Sequence, residues 1–309
     1  MAKKLTIGDY GTHNQNARAL AMTLAYLLEY SAATHPGLKR ENNEDCFLSL
    51  PDVGVWLVAD GMGGHEAGEV ASAIVRDTIE SIARTSTLFS LSDAVQKSHQ
   101  AILNAAEKGI GAFGMGSTVV ALLSQKKNYQ VAWVGDSRAY LWTASPEACH
   151  LSRLTTDHSY VQMLYMSGAI TAEDVDNHPE KNIITQCLGM QELTQVKVDI
   201  AQGIWQHNQW ILLCSDGLTD ELSDAAIAHI LQESPNSTVA IDQLLHEALT
   251  NGGNDNITVQ IIESPVREDS PETRFWQWIP RVSSSRTLDV VLFFTALSAL
   301  LVLLITTLK

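Results

Sequence analysis

Apolar residues recur along this chain in two rhythms. Short unbroken runs, such as Val55-Trp56-Leu57-Val58-Ala59 and Trp210-Ile211-Leu212-Leu213-Cys214, are bounded by glycine or turn residues. Such runs read as strands buried on both faces. Between them lie stretches with apolar positions three and four residues apart, the mark of helices that pack by one face. The pattern predicts strands over 53–59, 117–124, 129–134, 139–142, 209–214 and 257–263. It predicts helices over 66–83, 91–107, 159–166, 224–233 and 239–250. Helices arrive in pairs between strands, and several strands are close enough in sequence to form hairpins. Antiparallel sheet covered by helices fits that order better than strict strand–helix alternation.

The ends follow other rules. Residues 17–28 form a mostly apolar helical stretch containing Arg18, too short to cross a bilayer, and read as a packing element within an N-terminal extension over 1–27. Residues 264–286 carry three prolines, the run Ser283-Ser284-Ser285 and mixed charge, which is the composition of an exposed linker. Then come 19 uncharged residues over 290–308, close to the roughly 20 that a helix needs to span a bilayer. A buried core helix would show a polar side, and this stretch is apolar all round. It predicts a transmembrane tail anchor over 287–309, behind a globular domain over 28–263. Arg274, Arg281 and Arg286 lie on its N-terminal side, against Lys309 alone after it. Positive flanks stay in the cytosol, so the domain is expected to face the cytoplasm.

A chain of 309 residues with 45% hydrophobic and 18% charged content can bury a substantial core. Its net charge of −15 argues against nucleic acid as a partner. Surplus acid serves solubility or gathers around cations, and only position decides which. The four cysteines are scattered without a C-x-x-C pair, and the first 20 residues lack an apolar leader. A reduced compartment is expected, and a zinc site is not.

Position singles out the acids. Asp60 and Asp216 each stand at the end of an apolar run and before a glycine. Asp136 follows Gly135 at the end of a third run, and Asp255 precedes the run 257–262 inside Gly252-Gly253-Asn254-Asp255-Asn256. One such acid is ordinarily a turn former. Four of them are hard to explain as turns alone. Carboxylates brought together repel unless protonated or neutralised by cations, and hard divalent ions such as Mg²⁺ or Mn²⁺ take oxygen ligands of this kind. Neighbouring glycines permit close approach and leave a backbone carbonyl free to join the ligands. Two ions about 4 Å apart can activate a water and clamp an in-line phosphoryl displacement.

These residues resemble the metal-dependent PP2C-type (PPM) protein phosphatases, bacterial branch. Arg40 and the acids of Asn43-Glu44-Asp45 are similar to the family's opening motif, and Asp60-Gly61-Met62-Gly63-Gly64-His65 to its glycine-rich loop. Gly116-Ser117-Thr118, Gly135-Asp136-Ser137-Arg138, Asp157-His158-Ser159, Cys214-Ser215-Asp216-Gly217-Leu218 and Asp255-Asn256-Ile257-Thr258-Val259 follow in the family's order. The resemblance covers about residues 28–263, roughly three-quarters of the chain. It implies an α+β fold, a four-layer α/β/β/α sandwich of two antiparallel sheets. It implies a centre of two Mn²⁺ or Mg²⁺ ions with Asp60 bridging both and the Gly61 carbonyl as a ligand. Asp216 and Asp255 would complete one ion's ligands, and Glu44 and Asp45 would serve the second, directly or through water. Asp136, with Asp216, matches the position of a third, weaker ion. Arg40 matches the phosphate-binding arginine; its alternative is a surface salt bridge to Glu41 or Glu44.

The segment 157–188 would form a flap beside the site. His158 and Ser159 look like a Ser/His pair, but adjacent residues cannot readily face each other as a nucleophile and base must, so helix capping and flap structure are expected of them. Where some animal members carry a histidine two residues after the bridging acid, this chain has Met62, so no protein general acid is assigned. The resemblance implies hydrolysis of phosphoserine and phosphothreonine in proteins by a metal-activated water, opposing a cognate Ser/Thr kinase; together with the tail anchor it places that work near the membrane, the inner membrane of a bacterium. A phosphatase for small phosphomonoesters or phosphotyrosine would share the same centre. A membrane-tethered scaffold that had lost the chemistry would be expected to lack at least one of Asp60, Asp216 and Asp255, and all are present.

Overall fold

Strands with apolar side chains on both faces cannot face water on either, and this constraint stacks the elements. The computed structural model describes residues 28–64, 67–86, 89–145, 149–175 and 178–267. The chain divides into a unit over Met1–Val266 and a second over Arg267–Lys309. The extension over 1–27 and the apolar tail lie outside the described residues, so the tail-anchor expectation does too. Among the described residues no helix is long and apolar enough to cross a membrane.

The strands are β1 (Tyr30–His35), β2 (Asp45–Leu50), β3 (Val55–Met62), β4 (Gly116–Ser117), β5 (Val119–Gln125), β6 (Asn128–Val134), β7 (Arg138–Thr143), β8 (His150–Arg153), β9 (Asp199–Ile204), β10 (Gln209–Cys214) and β11 (Ile257–Glu263). One sheet runs β1-β11-β10-β7-β8; the other runs β2-β3-β5-β6-β9, with β4 paired to β3. Every strand pairing is antiparallel. Helices α1 (Ala67–Thr85) and α2 (Leu91–Glu107) cover the second sheet, while α6 (Asp224–Glu233) and α7 (Ser237–Asn251) cover the first. Shorter helices α3 (Tyr160–Met166), α4 (Ala172–Val175) and α5 (Asp216–Thr219) lie in the connections.

The period of two in a strand sorts side chains between layers. Along β3, Val55, Leu57 and Ala59 pack under α1 and α2, while Trp56 and Val58 enter the layer between the sheets. Along β10, Ile211 and Leu213 join that middle layer, and Leu212 and Cys214 face α6 and α7. Helix starts carry their own signals: Ser90, Ser223 and Asn236 accept from the N–H three residues on, capping α2, α6 and α7.

Helices α2 and α6 and strands β10 and β11 match the sequence expectation, and the other predicted elements shift by a few residues. Four strands, β1, β2, β8 and β9, were not legible as apolar runs. β1 and β9 are sheet edges with partly exposed faces, and β8 is four residues long. Asp60 is not at a strand end. β3 continues to Met62 because Gly61 and Met62 pair with Ser117 and Gly116 of β4. Asp216 opens the short helix α5.

Trp56 is fully buried between the sheets and meets Tyr30 edge-on, with ring centroids 6.1 Å apart. Trp56→Ala should cost about 3–5 kcal/mol, read as a lower midpoint in urea unfolding. An unchanged midpoint would show that this layer carries little of the stability.

Candidate active site

At one end of the two sheets, backbone geometry brings the acids together. Asp45 lies directly across from Asp60 in the β2–β3 ladder, so the two share a face. Asp136 occupies the turn from β6 to β7, Asp216 the first turn of α5, and Asp255 the turn that leads into β11. Thr118 ties the middle of this group together. Its N–H donates to the Asp60 carbonyl at 2.8 Å, and the Asp60 N–H donates to its hydroxyl at 3.1 Å. Gly61 is needed for space, because a Cβ there would overlap the Gly68 carbonyl at the start of α1.

The electrostatics follow from that crowding. Asp45 and Asp136 are buried, and Asp60 and Asp216 are half-buried. Burial pushes the Asp60 carboxyl well above its ordinary range, and Asp45, Asp216, Asp136 and Asp255 push it further. Asp216, raised to about 6 by burial and by Asp220 and Asp255, shares a hydrogen bond with Asp60. Asp45 is raised by burial in spite of hydroxyl donors, among them Ser215 at 2.7 Å. Asp136 is raised by burial and by Asp216, and its Oδ1 is buried with no hydrogen-bond partner among the described residues. Each group is held where a carboxylate lacks its counter-charge.

The remaining expected residues sit at the rim. The Glu44 carboxylate accepts from the Gly68 N–H at the start of α1, and burial raises it. Arg40 pairs with Asp255 at 2.6 Å rather than with Glu41 or Glu44. Among the described residues no three His, Cys, Asp or Glu side chains are disposed to hold a metal ion by themselves. Ser159 caps α3 by accepting from the Gln162 N–H, as expected. The His158 ring turns to Gly135 and Asp199.

One cluster went unseen in the sequence. Arg138 and Arg153 both donate to Asp157, Arg138 at 2.8 Å. They line a cavity of about 610 Å³, with Asp136, Asp216 and Lys181 on its other walls. The signal was present: Arg138 opens a strand of otherwise mostly apolar residues, and a charge there requires a buried partner. Asp157 is therefore more than a flap residue. Asp157→Asn should destabilise the fold by about 3–5 kcal/mol, since it strands a largely buried guanidinium. The check is denaturant unfolding alongside Arg138→Met with Asp157→Asn. If the single variant is as stable as wild type, the pair is not buried in effect.

With this geometry in place, comparison with known proteins is informative. The family model for protein phosphatase 2C matches residues 31–162. The serine/threonine phosphatase stp of Listeria welshimeri is 36% identical over 241 residues, covering 74% of this chain and 93% of that protein. The crystal structure of the Mycobacterium tuberculosis serine/threonine phosphatase PstP/Ppp superimposes with a TM-score of 0.69 at 33% identity, over 76% of this chain and 98% of its own. The catalytic domain of PstP in complex with two manganese ions gives a TM-score of 0.67 at 32% identity, over 77% and 98% of the two chains.

Proposed function

Because this chain belongs to the protein phosphatase 2C family and is a protein serine/threonine phosphatase, we propose that its carboxylate cluster is the centre that hydrolyses phosphoserine and phosphothreonine in proteins. The observation that carries this is the convergence of Asp45, Asp60, Asp136 and Asp216, each with its acidity suppressed by burial and by neighbouring acids. An all-oxygen donor set suits Mn²⁺ or Mg²⁺, and the unpartnered Oδ1 of Asp136 is a ready ligand atom. When bound, two such ions supply Lewis-acid polarisation of the phosphoryl group and an activated water.

In this proposal Asp60 and the Gly61 carbonyl would hold the two ions, Asp216 and Asp255 would serve one of them and Glu44 and Asp45 the other, and Asp136 with Asp216 would hold a third ion more weakly. Arg40 orients the phosphoryl group. Its planar fork can leave Asp255 for phosphate oxygens without losing charge-assisted bonds. Hydrolysis then needs no covalent protein intermediate.

EDTA should abolish hydrolysis of a phosphothreonine peptide, and Mn²⁺ or Mg²⁺ should restore it. Asp60→Asn should lose most turnover while keeping its circular-dichroism spectrum. Wild-type turnover in Asp60→Asn, or full activity in EDTA, would falsify the assignment.

We further propose that the enzyme works at a membrane, with its catalytic domain over 28–263 in the cytoplasm, a linker over 264–286 and a tail anchor over 287–309. The 19 uncharged residues over 290–308 and the arginines before them support this. Its substrates would then be phosphoproteins made by a Ser/Thr kinase acting close to the bilayer. Val266 packs against the layer between the sheets and the Ser264 N–H donates to Gln209, so the cut that frees the domain belongs after Arg267. Full-length protein should pellet with membranes and resist carbonate washing, and the truncated form should be soluble and active. Recovery of the full-length chain wholly in the supernatant would overturn the anchor.

A further inference from the structure

Asp136 has a carboxylate oxygen that no described residue holds, so its direction depends on the backbone of the turn that carries it. That turn is unusually constrained. Gly135 adopts φ +106°, and a Cβ on it would meet the Thr118 side chain at 2.7 Å. Both polar groups of the Gly135 backbone go to one residue. Its N–H donates to His158 Nδ1 at 3.1 Å, and its carbonyl accepts from the His158 N–H at 2.9 Å.

The His158 ring is itself set from outside. Gln186 accepts from the Lys197 N–H through Oε1 and donates to the Lys197 carbonyl through Nε2, each at 2.8 Å. A backbone N–H and carbonyl cannot exchange roles, so the Gln186 amide has one orientation, and its Nε2 also donates to His158 Nδ1 at 3.1 Å. Nδ1 therefore faces two donors and must accept. The proton lies on Nε2, which donates to Asp199 Oδ2 at 3.1 Å. Asp199 is anchored in turn by Lys197 at 2.9 Å. On the far side of the turn, the Ser137 hydroxyl bonds to the Thr118 hydroxyl at 2.7 Å, and Thr118 is bonded to Asp60.

We propose that His158, held in one tautomer by Asp199 and Gln186, is a positioning residue that clamps Gly135 and so aims the Asp136 carboxylate at the weakly held third cation. The proposal rests on the assignment of Asp136 to that cation. His158 touches neither substrate nor ion; it acts through one peptide group. It belongs with the outer hydrogen-bond partners that orient metal ligands from behind, whose loss typically weakens metal binding by about 10–100-fold.

The test is calorimetric titration of the purified enzyme with Mn²⁺, with thermal melting of each variant and the Mn²⁺ dependence of phosphothreonine-peptide hydrolysis. His158→Ala should keep the tighter ions and weaken the weakest class by roughly 10–100-fold, with half-saturating Mn²⁺ moving by the same factor. His158→Asn places an amide oxygen near the position of Nδ1 and should recover most of that loss, whereas His158→Gln should not. A fall in melting temperature with an unchanged Mn²⁺ titration would mean a merely structural role and overturn the proposal. If His158→Ala does not fold, the Asn and Gln variants decide: identical titrations overturn the clamp, and a weaker Gln variant supports it. Asp136→Asn separates the two layers of inference. Loss of the weakest class in Asp136→Asn with a wild-type titration in His158→Ala sinks only the clamp. No loss in Asp136→Asn sinks the Asp136 assignment itself.

Discussion

Carboxylates crowded at one end of two facing sheets repel one another, and the rest of this protein is arranged to hold them there. Asp45 and Asp60 cannot separate, because the β2–β3 ladder fixes them opposite each other. Asp216 cannot withdraw, because its residue begins a helix whose preceding strand is buried on both faces. Burying acid without a counter-charge is costly, and the three apolar layers of the domain offset that cost. A divalent ion bound among such groups removes much of the repulsion, so metal affinity and fold stability are linked through the same residues.

The core is legible in the sequence because strands covered on both faces read as continuous apolar runs. β10 and β11 needed nothing further. The edges are less legible. β9 alternates partly and fully exposed positions, with Ile200 and Ile204 pointing outward, and no local pattern distinguishes it from a loop. β2 reads poorly because its first residue is Asp45, a buried acid that composition alone would place on a surface. Its strand character comes from pairing with β3, which is a tertiary fact.

The site divides the same way. Asp60, Asp136, Asp216 and Asp255 were visible because apolar runs and glycines framed them. The groups that hold those acids in place were not. Thr118, His158 and Asp199 act through backbone atoms or over long separations, and neither leaves a periodic trace. The Asp157 partners, 19 residues away at Arg138 and four away at Arg153, fall in the same class. The identity of a metal ligand can be read from local sequence more readily than the reason it points in one direction.

Two arginines near the same acids illustrate how exposure sorts function from support. The Arg138–Asp157 pair has side chains only 18% and 9% exposed. Separating it would leave a desolvated charge on each side, so it is permanent. The Arg40–Asp255 pair is 53% and 37% exposed, and pairs of that kind contribute about 0–1 kcal/mol in water. A dianionic phosphoryl group offers Arg40 stronger and better-matched acceptors than a single carboxylate does. Asp255 is simultaneously the acid that a cation would draw away from Arg40. In the proposed centre metal and substrate would each favour the same rearrangement, release of the Arg40–Asp255 contact, and whichever arrived first would lower the cost of the other. An exchangeable pair at the rim, backed by an unexchangeable one in the wall, would let such a binding surface reorganise without moving the carboxylates behind it.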